Sequence, residues 1–151
     1  MIDINLHSYK DQLKLKKEKG LAFVFDIIRK KYMVLQPEEM VRQLLIHFLI
    51  KKGYPKEKIQ VEKGINLNGL FRRFDIIVYD QNFDPYLLIE CKSHKVNIDQ
   101  STFDQIANYN LAVKAPYLMV CNGVQTYCCA LNFATKKIEN LTYIPDYQSY
   151  K

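Results

Sequence analysis

Two strand-like runs decide the fold of this chain: Phe74-Asp75-Ile76-Ile77-Val78-Tyr79 and Tyr86-Leu87-Leu88-Ile89-Glu90-Cys91-Lys92. Both are short runs of aliphatic, β-branched and aromatic residues, which reads as buried strand rather than helix. Between them, Asp80-Gln81-Asn82-Phe83-Asp84-Pro85 has the composition of a hairpin loop. Three charges interrupt these apolar runs: Asp75 in the first, Glu90 and Lys92 in the second. Strand side chains alternate faces, so Glu90 and Lys92 project on one side while Ile89 and Cys91 project on the other. In a hairpin of the two runs, Asp75 comes alongside Glu90 and Lys92.

Working outward, strands are expected at Leu21–Asp26, Lys58–Lys63, Tyr117–Cys121 and Thr126–Asn132, the last two split by the turn signal Asn122-Gly123. A helix opens at Gln36-Pro37-Glu38-Glu39 and runs to about Lys52, with Gly53 as its stop. Proline favours the first helical turn, and acids there complement the helix dipole. A second helix covers Ser101–Val113, with Phe103, Ile106, Asn110 and Val113 on one stripe and Asp99 or Ser101 as its cap. The order β-α-β-β-β-α-β-β describes one mixed α/β domain, with helices on both faces of a central mixed sheet.

The chain has 151 residues, 48% of them apolar and 25% charged, with a formal net charge of +6. That length fits one domain and that composition excludes disordered and collagen-like classes. Residues 1–25 read as a basic extension, 26–131 as the core and 132–151 as a tail. No run of eighteen apolar residues and no secretory signal is visible, and Cys91, Cys121, Cys128 and Cys129 show no metal-ligand spacing. Buried thiols in a cytoplasmic protein are the expectation.

Two carboxylates and an amine on one patch of sheet are costly unless they pair or bind an ion. A hard divalent cation, Mg²⁺ or Mn²⁺, offers one compensation, with Asp75, Glu90 and the backbone carbonyl of Cys91 as ligands. Lys92 would then orient or deprotonate a water while the metal stabilises charge on a phosphate. The plainer alternative is a structural acid–lysine pair at a sheet edge. On the first helix, a projection at 100° per residue places Val41, Leu44, Leu45 and Phe48 inward, Glu38 beside that stripe, and Glu39 nearly opposite, in solvent. Gln105 and Tyr109, four residues apart, share a face of the second helix.

These residues resemble the PD-(D/E)XK nuclease superfamily, and most closely the N-terminal nuclease domain of type I restriction enzyme R subunits in a stand-alone form. The resemblance is carried by Pro37-Glu38-Glu39-Met40-Val41-Arg42-Gln43, Arg72-Arg73-Phe74-Asp75, Ile89-Glu90-Cys91-Lys92, Gln105-Ile106-Ala107-Asn108-Tyr109 and Ala115-Pro116-Tyr117-Leu118 with Cys121-Asn122-Gly123. It spans about Asp26 to Leu131, and one departure is Phe74 where the family has proline before the catalytic aspartate. The resemblance implies a restriction-endonuclease-like core of α-β-β-β-α-β order and a Mg²⁺-dependent deoxyribonuclease. It also implies Asp75 and Glu90 as metal ligands, Lys92 as the catalytic lysine, Glu38 as the helix acid, and Gln105 with Tyr109 in support.

Arg73 shares the face of Asp75, and Lys95 follows Lys92, so both are expected to contact DNA phosphates. No base-reading motif is present. A helicase motor does not fit in this length, so a translocase or specificity subunit is expected on another chain. Two other readings stand beside the nuclease: a catalytically weak or inactive nucleic-acid-binding scaffold, and a partner-dependent subunit docking through an apolar patch with Tyr143, Tyr147 and Tyr150.

Overall fold

The two deciding runs pair as expected, at the centre of a six-stranded sheet. The computed structural model describes residues 1–67 and 69–147, with backbone alone for Leu67, Leu70, Tyr109 and Ala112. After a 3-10 helix at Leu6–Gln12 comes a three-stranded antiparallel sheet: β1 (Leu15–Glu18), β2 (Leu21–Asp26) and β3 (Lys31–Val34), in that spatial order. Helix α1 (Pro37–Lys51) follows, then β4 (Ile59–Leu67), β5 (Leu70–Tyr79), β6 (Pro85–Cys91), α2 (Gln100–Val113), β7 (Tyr117–Cys121), β8 (Thr126–Asn132) and β9 (Lys137–Leu141). The six later strands lie in chain order across the second sheet. Among the described residues only the β6–β7 pair is parallel, and α2 makes its crossover.

Alternation along the central strands divides the core in two. Ile76, Val78, Leu87, Ile89, Met119 and Cys128 face α1 and pack with its Val41, Leu44, Leu45 and Leu49. Ile77, Leu88, Leu118, Val120 and Cys129 form the other cluster, with Ile106 of α2. The mixed sheet with a helix on each face is therefore the architecture. All four cysteines are buried and free, and the neighbours Cys128 and Cys129 fall in opposite clusters.

The local signals for ends and turns hold. Gly53 follows α1 with φ +106°, a value that favours glycine. At α2 the cap is Asp99, whose carboxylate accepts the Thr102 N–H at 3.0 Å. The Asn122 carboxamide oxygen accepts the N–H groups of Val124 and Gln125, closing the β7–β8 turn.

Three strands were not expected. β1 and β3 flank the anticipated β2, so the basic N-terminal segment is folded. β9 lies at the edge of the large sheet, within the segment read as a tail. After it the chain returns to the core: the Tyr54 hydroxyl donates to the Pro145 carbonyl, the Tyr86 hydroxyl to that of Asp146, and the Tyr147 hydroxyl to that of Tyr79. Tyr147 is thus packed rather than offered as part of a docking patch, Tyr143 is exposed, and Tyr150 lies outside the described residues.

Candidate functional site

The site forms where β5 and β6 part. Their ladder runs through Val78↔Leu87, Ile77↔Leu88 and Ile76↔Ile89, after which β5 continues paired to β4 alone. Extending that register by one sets Asp75 opposite Glu90. β6 stays with β7, Glu90 against Val120 and Cys91 against Cys121, and the Lys92 N–H donates to the Cys121 carbonyl at 2.8 Å. The parting of β5 frees the Cys91 N–H, which donates to Asp75 Oδ2 at 2.7 Å. A backbone donor orphaned by the fork is thereby satisfied, and Asp75 is fixed against β6.

A second interruption lies on β4. Val61 pairs with Ile76 and Lys63 with Phe74, but Glu62, opposite Asp75, makes no ladder pair. Glu62 sits at φ +56°, a left-handed conformation uncommon for a residue with a side chain. Its carboxylate accepts from Arg42 Nη2 at 2.5 Å, and the same nitrogen donates to Asp75 Oδ1 at 3.0 Å. Arg42 Nη1 reaches Glu39 Oε2 at 2.6 Å. One guanidinium therefore joins acids from α1, β4 and β5. Burial alone would lower the Arg42 pKa, but the charges of Glu39, Asp75 and Glu62 outweigh it and hold it above its ordinary value.

The network extends to the small sheet. Glu39 also accepts from Gln43 Nε2 at 3.0 Å and from Arg29 Nη2. Arg29 is anchored by Asp26, whose carboxylate takes the Arg29 Nε–H as well as the N–H groups of Ile28 and Arg29. Burial pushes Asp26 up, but the hydrogen bonds from the Arg29 side chain and the two N–H groups prevail and hold it below its ordinary value. This chain of charges fastens the β2–β3 turn to α1.

Here the helix expectation is corrected. Glu39, assigned to solvent, is buried and central, while Glu38 is half-buried at the rim of a cleft of about 660 Å³. The reason lies in a second stripe of α1: Glu39, Arg42, Gln43 and Ile46 are spaced i, i+3, i+4 and i+7 and are all buried. The apolar stripe was read correctly. The opposite side was assigned to water because its partners, Arg29 of the β2–β3 turn and Glu62 and Asp75 of β4 and β5, are brought to it only by folding.

Asp75, Glu90 and Lys92 do come together. Lys92 Nζ lies 3.6 Å from Glu90 Oε1, with about 31% and 26% of the two side chains exposed. Burial and then the adjacent Asp75 push the Glu90 carboxyl up, with Lys92 opposing them. Arg73 stands exposed over the site, 3.5 Å from Glu62, and Lys95 is exposed in the turn after β6. Gln105 is exposed on α2, and the Tyr109 side chain lies outside the described residues.

Among the described residues, no three His, Cys, Asp or Glu side chains converge as a metal cage. The donor set nevertheless fits a hard cation that keeps its water, since Mg²⁺ uses one or two carboxylates and leaves other positions to water and phosphate. Asp75 and Glu90, beside the Cys91 backbone, supply that set. Glu62 and Arg42 were missed as site residues. The signal available was Arg42 in the quoted helix motif and a lone acid in the strand Ile59-Gln60-Val61-Glu62-Lys63.

Comparison with known proteins gives three findings. Residues 37–145, most of the chain, match the family model described as the type I restriction enzyme R protein N terminus. A solved fragment described as an HsdR subunit of a type I restriction enzyme from Vibrio vulnificus YJ016 is similar at 16% identity, with a TM-score of 0.48. The match covers 65% of this chain and 21% of that one, so this chain spans about a fifth of its solved relative. No curated protein matches. No helix is long and apolar enough to cross a membrane among the described residues.

Proposed function

The chain belongs to the type I restriction enzyme R protein N-terminal family, and on that premise we propose that it is a metal-dependent DNA endonuclease module of the PD-(D/E)XK class. The observation that supports this most is the meeting of Asp75, Glu90 and Lys92 at the β5–β6 fork. Asp75, Glu90 and the Cys91 carbonyl are the groups that would hold Mg²⁺ or Mn²⁺. When bound, the ion supplies Lewis-acid stabilisation of charge developing on the phosphate.

The remaining work falls to the chain. Lys92 holds a water in line with the phosphorus and takes or orients its proton, and its side chain, partly open to solvent, has access to one. Arg42 fixes Asp75 through its Oδ1, and the Cys91 N–H fixes it through Oδ2, so the carboxylate is oriented before substrate arrives. Glu39 sets Arg42, and so takes the helix-acid place expected of Glu38. Arg73 and Lys95 meet phosphates as exposed cations. Translocating and sequence-reading modules complete the assembly.

A second reading, a binding scaffold with little turnover, is favoured by one observation: both Asp75 oxygens already accept hydrogen bonds. Plasmid cleavage with Mg²⁺ or Mn²⁺ separates the two. The nuclease reading expects nicking by the wild type and none by Lys92→Ala or Asp75→Ala. Binding without cleavage under either metal selects the scaffold.

A further inference from the structure

The small N-terminal sheet lies outside the family match, which begins at residue 37. Its registers put Lys16 against Phe23 and Phe23 against Val34, with Phe25 against Tyr32. These residues share one face, because paired residues in a sheet point the same way. The opposite face carries Val24, fully buried. The first face looks outward: Tyr32 is 39% and Val34 44% exposed.

Cations stand over its rings. Lys16 Nζ lies 4.1 Å from the centroid of Tyr32 and 5.8 Å from that of Phe23, with the exposed Glu18 carboxylate 3.2 Å away, and Lys14 Nζ lies 5.6 Å from that of Phe25. Phe25 and Tyr32 meet edge to face with centroids 5.2 Å apart. Residues 1–36 hold eight Lys and Arg against four Asp and Glu, so most of the chain's positive excess is here. Lysines on the edge strand β1 also discourage pairing with other sheets, but that role does not call for three adjacent aromatic rings on an outward face.

At Val34 the face borders the cleft shared by Arg42, Glu62 and Arg73, which Lys31 and Met33 line from the other face of the same strand. Aromatic rings set among ammonium groups suit a strand whose bases are unpaired: rings stack on bases while lysines meet phosphates. A duplex hides its base faces and offers only the second contact.

We propose that the outward face of β1–β3 is a platform for single-stranded DNA that guides the strand along β3 into the cleft of Arg42, Glu62 and Arg73, beside Asp75. The destination of that strand rests on the nuclease reading; the platform itself does not. The test is fluorescence anisotropy of a labelled oligo-dT with the full chain in EDTA, against a duplex and an oligo-U of equal length. Oligo-dT is expected to bind at least tenfold tighter than the duplex and no weaker than oligo-U. Tyr32→Ala is expected to weaken it about tenfold, Tyr32→Phe to retain it, and Lys16→Gln to weaken it more than Lys137→Gln, which removes a charge from β9. Circular dichroism melting checks that each variant is folded.

Equal binding by Tyr32→Ala and wild type, a duplex bound as tightly as oligo-dT, preference for oligo-U, or no binding would each overturn the proposal. Failure of the nuclease reading looks different: no plasmid nicking with either metal, while Tyr32-dependent binding persists.

Discussion

Arg42 and Lys92 are both cations set among acids, and they differ in almost every other respect. Arg42 has 6% of its side chain exposed and touches three carboxylates at 3.0 Å or less. Lys92 is about a third exposed and stands 3.6 Å from one acid, Glu90. The first is a closed joint in which every strong contact is between parts of the protein. The second is an open pair at the end of β6, with both side chains partly exposed to solvent. The contrast separates what holds the site in shape from what is free to react. Losing one partner of a buried network leaves charge uncompensated, whereas losing a loosely held lysine leaves the fold intact and removes its chemistry.

Breaking the open pair gives the largest expected effect. Lys92→Ala should lower metal-dependent plasmid cleavage by about 10²–10⁴-fold, the range for a lost proton-transfer group, with a thermal midpoint near that of the wild type. A variant that cuts at the wild-type rate removes Lys92 from the chemistry. Breaking the closed joint should act on stability first. Arg42→Ala is expected to cost about 3–5 kcal/mol in urea unfolding, as for removal of one member of a buried ion pair. Arg42→Lys should recover only part of this, because an ammonium cannot span three acids as a planar fork does.

Acid sharpens the same comparison from the far end of the network. Asp26 is held below its ordinary value of 3.8, so its stabilising contribution is present above that value and is lost as the pH falls through the lower folded value. Unfolding midpoints should therefore drop on the acid side of that value, and Asp26→Asn should flatten this dependence while lowering stability at neutral pH. The smallest effect is expected at the rim. Arg73→Gln should change stability by less than about 0.5 kcal/mol and reduce the salt slope of DNA binding by about one.

Much of the frame was legible because it rests on local rules. The alternating runs around Ile76 and Leu88, the stops at Gly53 and Asn122-Gly123, and the acids and lysine embedded in apolar strands all carry their meaning in neighbouring residues. α1 shows where local rules end. Its apolar stripe through Val41, Leu44 and Leu45 implied that Glu39 faced water, and a helix with one covered side would behave so. Here Arg29 of the β2–β3 turn and the acids of β4 and β5 meet the other side, so an acid, an arginine and a glutamine are buried where hydropathy saw a polar face. Glu62 was equally hidden, since its left-handed turn out of the β4–β5 ladder leaves no mark on composition. β9 and β1 were missed as short edge strands, whose pairing comes from a neighbour rather than from their own pattern.

The sequence alone determined the two-faced sheet and the presence of Asp75, Glu90 and Lys92 on its central strands, because side-chain alternation and burial follow from residue order. It also carried the motifs that mark the family. Only the tertiary structure decided which helix acid turns inward, that Glu62 joins the site, and that Arg42 ties α1, β4 and β5 together. Those contacts link residues separated by 3 to 33 positions in the chain. Their directions were set when the sheets and helix packed, by the need to satisfy every buried charge.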